Sequence, residues 1–178
     1  MEQPLPTFRY HPNPLATGAI KPGDRVCECC GVARGFVYTA GVYATRDVEV
    51  VCPWCIADGS LAQKWEASLS DAGHSLARAG IAAEIIQEVT ERTPGYVCWQ
   101  SHDWMSCCRD ACEFHGDAPQ EEIRSLDEPG LARVSEASGF RVEDLREMVV
   151  GYEQGFSPAF YKFVCRHCAR VMYNCDCD

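Results

Sequence analysis

The stretch CECCGVARGFVYTAGVYATRDVEVVCPWC, residues 27–55, decides how the first part of this chain folds. Two cysteines separated by two residues can aim both sulfurs at one ion from a tight turn, and two such turns complete the tetrahedral shell that zinc prefers. Cys27 and Cys30 make one turn, and Cys52 and Cys55 the other. Between them, residues 34–39 (RGFVYT) and 42–51 (VYATRDVEVV) are β-branched and aromatic and meet near Ala40-Gly41, which predicts a hairpin. The reading is a zinc ribbon with Cys27, Cys30, Cys52 and Cys55 as ligands. Cys29 could replace Cys27, but only Cys27 has the two-residue spacing to Cys30.

Cysteine supplies 13 of 178 residues, an odd number that cannot all pair within one chain. With no export signal in MEQPLPTFRYHPNPL, that content points to metal before disulfides and to the cytoplasm. Cys165 and Cys168 form a second knuckle, and Cys108 and Cys112, spaced as at a helix end, are its expected partners in a second all-cysteine zinc site. Cys107, His115, Cys175 and Cys177 are rivals for those places. The competing reading of Cys52-Pro-Trp-Cys55 is a thiol-disulfide motif, but that chemistry needs a βαβ context and no second Cys-x-x-Cys upstream. Zinc deaminases need a His-x-Glu, which the chain lacks. Both zinc sites are expected to be closed and structural.

The net charge of −10, from 16 Lys and Arg against 26 Asp and Glu, argues against a nonspecific grip on nucleic acid. No apolar run approaches the roughly 20 residues of a membrane span. Residues 1–22 carry five prolines and read as an extended strap that buries Phe8, Tyr10 and Leu15. Ser60 with Gln63 has the spacing of a capping box at the head of a helix. Residues 81–91, 117–126 and 142–152 carry helical stripes or helix-start signals. Residues 160–173 read as a strand pair around the Cys165 knuckle, and residues 96–105 stay undecided between strand and irregular structure. The expected class is α+β: an N-terminal zinc ribbon, a helical middle and a C-terminal zinc-knuckle β-hairpin. Residues 1–60 form the arm and ribbon, and residues 61–178 the helical region with the second site, packed as one unit.

Several motifs, in order along the chain, resemble the CbrC family of bacterial proteins: Phe8-Arg-Tyr-His-Pro-Asn-Pro14, Cys52-Pro-Trp-Cys-Ile-Ala-Asp-Gly-Ser60, Arg92-Thr-Pro-Gly-Tyr96 with Trp99-Gln100, Cys108-x3-Cys112, and the ending Phe163-x-Cys-x-x-Cys168 with Asp176-Cys-Asp178. Ala169 departs from the pattern, which has glycine there, and Cys175 is an extra thiol. The resemblance implies a cytosolic protein linked to tolerance of a nuclease colicin. Two tetrathiolate zinc sites would take the charge to about −14, suited to steering toward a basic nuclease domain. The expectation is therefore a non-enzymatic zinc protein with a protein partner, no nonspecific nucleic-acid binding and no membrane contact. Two other classes stay open. One is a thiol-redox protein or an enzyme using Cys52 and Cys55 or His102 and Asp103. The other is a zinc-ribbon adaptor for transcription or translation machinery. Nucleotide-binding glycine loops and the Gly-x-Ser-x-Gly elbow are absent.

Overall fold

The computed structural model describes residues 4–100 and 103–178. Ile20–Pro22 (β1) leaves the proline-rich arm and pairs antiparallel with Phe36–Tyr38 (β2), Ile20 opposite Tyr38. This corrects the expected hairpin between residues 34–39 and 42–51. The arm supplies the partner strand, and the second segment satisfies its main chain elsewhere, as buried amides must. Tyr43 exchanges hydrogen bonds with Ser68 at 2.8 and 2.7 Å, and the Thr45 amide donates to the Trp65 carbonyl at 3.2 Å. The Glu49 and Val50 amides donate to the Glu28 carboxylate at 2.8 and 3.0 Å. Only the end of the segment returns to β2, where the Tyr38 amide donates to the Val51 carbonyl at 2.9 Å.

Pro53–Ala57 (α1) begins with proline in the first turn, where a missing N–H costs nothing. Ser60–Trp65 (α2) starts where expected, but Gly59, at φ 77°, is the N-cap, and the capping box does not form. The Ser60 hydroxyl donates instead to the Cys55 carbonyl at 3.4 Å. Gly73–Arg78 (α3) and Ala83–Arg92 (α4) follow, the second matching the stripe at residues 81–91. The described residues of the aromatic segment, 96–100 and 103–105, are irregular, and residues 101 and 102 lie outside the described residues. Two short hairpin strands, Ser106–Cys107 (β3) and Asp110–Ala111 (β4), lead into Glu113–Asp117 (β5). Gln120–Arg124 (α5), Glu128–Ser138 (α6) and Val142–Gly151 (α7) precede Ala159–Val164 (β6) and Val171–Asp176 (β7), the strand pair expected around the knuckle. Strands β5, β6 and β7 form one antiparallel sheet in that order. The fold is thus mixed α and β, with small sheets, and among the described residues no helix is long and apolar enough to cross a membrane.

Among the described residues, three apolar clusters fill the interior. One surrounds Cys27, Cys52 and Cys55 with Phe8, Trp54, Ile56 and Leu69. The second is aromatic: Tyr96 stacks on Phe114 with centroids 4.2 Å apart, and Trp104 and Phe163 pack against the same ring. Such ring pairs add about 0.5–1.5 kcal/mol each beyond burial. The third packs Ile123, Val134, Leu145 and Tyr152 on Phe160. The arm joins the first two by placing Phe8 in one and Tyr10 in the other. Leu15, expected to be buried, is 46% exposed.

His11 locks the arm. Its Nδ1 lies 2.8 Å from the Pro94 carbonyl and its Nε2 2.7 Å from the Thr17 hydroxyl. Burial drives its pKa down to about 4, so the ring stays neutral. The unfolded chain takes up a proton near pH 6.5 while the folded one does not, so stability falls as pH drops from 6.5 toward 4, by about 3 kcal/mol in all. Nuclear magnetic resonance of the ring is expected to report neutral imidazole at about pH 5.5; a midpoint near the ordinary value would contradict the burial.

Candidate metal centres

The first quartet is built from two tight turns. The Gly31 amide donates to the Cys27 carbonyl at 2.8 Å, and Gly31 adopts φ 72°, which closes the turn that carries Cys27 and Cys30. Cys52 precedes α1 and Cys55 lies within it, so the helix start sets their spacing. The sulfurs stand 3.8 Å apart for Cys27 and Cys55, 3.8 Å for Cys30 and Cys52, and 3.6 Å for Cys52 and Cys55. The Cys52 amide donates to the Cys27 sulfur at 3.3 Å. All four sulfurs lie within 4.8 Å of one another. A metal held by four sulfurs at about 2.3 Å requires tetrahedral edges of about 3.8 Å, whereas a disulfide requires about 2.05 Å. The distances fit the first requirement and not the second. Cys29 lies outside the quartet, its sulfur 3.7 Å from the Ser60 hydroxyl.

The second quartet is Cys107, Cys108, Cys165 and Cys168. Its sulfurs stand 3.8 Å apart for Cys107 and Cys108 and for Cys107 and Cys168. The structure therefore places Cys108, Cys165 and Cys168 together but puts Cys107 where Cys112 was expected. The reason is local: Cys107 and Cys108 lie not at a helix end but in the hairpin of β3 and β4, with Cys107 opposite Asp110. Cys108 and Arg109, at φ 54° and 63°, form its two-residue turn, and both central residues of such a turn must be left-handed. Adjacent Cys107 and Cys108 thereby face one point. Cys112 lies beyond the hairpin, fully buried, with its carbonyl accepting the Trp104 indole N–H at 2.8 Å. Among the other rivals, His115 pairs with Glu113 at 3.2 Å and Cys175 contacts the Met148 sulfur at 3.8 Å. Cys177 also stays outside the quartet. Ala169, flagged for replacing glycine, does adopt the left-handed φ of 57° and closes the knuckle, its amide donating to the Cys165 carbonyl at 3.0 Å.

Asp110 was missed by the sequence reading. The residue is 7% exposed, and its carboxylate accepts hydrogen bonds from the Tyr10 hydroxyl at 2.7 Å, the Ala111 amide at 2.9 Å and Arg166 at 3.2 Å, and meets His167 Nε2 at 2.8 Å. It thus ties the arm, the β3–β4 hairpin and the knuckle into one frame. Residues that orient ligands in this way typically carry 10–100-fold in metal affinity. Asp110→Ala is expected to lose the second metal to a chelator at least about tenfold more readily while the first is retained, as competition titration would show.

Burial pushes Cys52 up to about 11 and Cys107 up to about 12, in both cases reinforced by neighbouring sulfurs. At Cys165 burial is outweighed by the amides of Cys168 and His167 and by neighbouring thiols, which bring it down to about 6. The raised thiols resist ionising beside a thiolate, and a divalent cation removes that resistance. His102, the proposed acid-base residue, lies outside the described residues; Asp103 is exposed, and its carbonyl accepts the Tyr96 hydroxyl at 2.6 Å.

A mixed α and β chain with two four-cysteine clusters, each able to hold a metal ion, is what the fold and sites define. The chain belongs to UPF0167, an uncharacterised protein family whose model matches residues 5–177. It is 48% identical to UPF0167 protein PA1536 of Pseudomonas aeruginosa over 178 residues, 99% of each chain. It is 34% identical to UPF0167 protein Mb2317 of Mycobacterium bovis and to UPF0167 protein MT2352 of Mycobacterium tuberculosis, over 93% of this chain and 90% of each relative. No solved structure matches. The resemblance to CbrC is thereby overturned, since the family and its relatives carry the UPF0167 name, and the colicin tolerance that rested on it loses its basis.

Proposed function

We propose that both quartets hold zinc through four thiolates and that the protein is a non-enzymatic binding module whose surface those two centres keep in shape. The observation that carries this is the sulfur spacing of 3.6–3.8 Å, the edge of a closed tetrathiolate tetrahedron. Four filled positions leave none for an activated water, which separates structural from catalytic zinc. Cys52 and Cys55 are each 2% exposed, and burial raises both thiols, which is the opposite of what disulfide exchange needs. The 13 free thiols suit a reducing compartment such as the cytoplasm. Net charge −10 favours a protein partner over a phosphate backbone.

X-ray absorption at the zinc edge tests this. The expected result is a single shell of four sulfurs at about 2.3 Å. A shell containing an oxygen or nitrogen ligand would make a site open, and iron in the same sulfur shell would overturn the zinc assignment.

A further inference from the structure

Strand β7 forms one edge of its sheet, and its pairing fixes which way its main chain faces. The Cys165 amide donates to the Arg170 carbonyl at 2.9 Å, and the same register places Phe163 opposite Met172 and Tyr161 opposite Asn174. Bonded and non-bonded pairs alternate along an antiparallel ladder. Met172 and Asn174 therefore bond to β6, and the N–H and C=O groups of Val171 and Tyr173 face away from it. The same alternation turns Phe160 of β6 toward the other side, where its carbonyl accepts the Ala118 amide at 2.8 Å. Among the described residues, the outward groups of Val171 and Tyr173 have no hydrogen-bond partner.

A cavity of 310 Å³ runs along this edge and touches Arg170, Val171, Met172 and Tyr173. Side chains of a strand alternate between its faces, so a groove that meets four consecutive residues follows the edge and not one face. Its far wall is α6, through Arg133, Val134 and Ala137. Arg133 and Arg170 are exposed there, and among the described residues neither guanidinium has a hydrogen bond or ion pair. Arg9, Arg46, Arg141, Arg146 and Arg166 all pair with carboxylates. Glu136 also lines the groove, which leaves it net positive in a chain of net −10.

The geometry points to β7 as a docking edge for an extended segment of another protein, added as a fourth strand, with apolar side chains in the groove and a carboxylate on Arg133 and Arg170. The main chain of such a segment supplies the hydrogen bonds that the edge lacks, and its alternate side chains supply specificity. The carboxylate is an acidic side chain within that segment, since the edge pairs with the segment's continuing main chain. The inference rests on the binding-module reading and names its surface. Arg170 follows Cys168 by two residues, so the second metal centre would fix where this edge begins.

The test is selection from a random heptapeptide library displayed with each peptide's C-terminus fused to its carrier, on the full metal-loaded chain. The expected peptides alternate apolar residues and carry a carboxylate at a constant position. Fluorescence polarisation should show at least tenfold weaker binding to the double variant Arg133→Glu, Arg170→Glu, and no binding to Ala137→Trp, which fills the groove. Failure to enrich any peptide, selection of peptides without a carboxylate, or binding that survives Ala137→Trp would overturn the inference. So would sedimentation showing a wild-type dimer that Ala137→Trp makes monomeric, which would make the occupant a second copy of this chain. Zinc content of the same samples separates the two readings: full zinc without peptide refutes this inference alone, and absent zinc refutes the binding-module reading on which it rests.

Discussion

Cys52→Ser is expected to remove one of two metal ions and to unfold the lobe built around the first quartet. The Cys52 sulfur lies 3.8 Å from that of Cys30 and 3.6 Å from that of Cys55, and the residue itself is buried with Trp54, Ile56 and Leu69. A structural zinc site contributes on the order of 10–16 kcal/mol at neutral pH, against a whole net stability of about 5–15 kcal/mol. Loss of the ion therefore exceeds what the small β1–β2 sheet and its apolar cluster can offset. Hydrogen exchange should show protection lost across residues 8–69 while β6 and β7 keep theirs. Cys29→Ser, outside the quartet, should retain both ions; equal metal loss in the two variants would show that the ligands are wrongly assigned.

The second large effect separates two cysteines five residues apart in sequence. Cys107→Ser is expected to cost the second metal outright. Cys112→Ser should keep both metals and lose about 1–3 kcal/mol, because it buries a hydroxyl in an aromatic core, where Cys112 is fully buried beside Trp104 and Phe114. Chemical denaturation with parallel metal analysis distinguishes them. Metal loss in the Cys112 variant with retention in the Cys107 variant would reinstate the helix-end arrangement that spacing alone suggested.

That exchange shows where the sequence was legible. A Cys-x-x-Cys turn is a local object, so Cys27, Cys30, Cys52, Cys55, Cys165 and Cys168 could be read from spacing, and the structure groups them in the quartets. Cys107 and Cys108 belong to a hairpin whose two left-handed residues are Cys108 and Arg109, not the Asn-Gly that usually announces such a turn. Cys108 was read as a ligand and Cys107 only as a rival, because nothing in the spacing favours two ligands in adjacent positions. The partner of β2 was equally hidden, because a strand of three residues in a proline-rich arm has too short a period to read. Helix α6 was legible and overlooked. Asp127 caps it by accepting the Gly130 amide at 2.8 Å, Pro129 lies in its first turn, and Gly139 ends it at φ 79°. Asp110 could not be found from sequence, since its partners Tyr10 and His167 lie 100 and 57 residues away.

Native mass spectrometry of the chain purified without chelators tests the central claim most directly. The account predicts two zinc ions per chain and all 13 cysteines reduced. A metal-free folded chain, or one whose mass shows disulfides within either quartet, would contradict it.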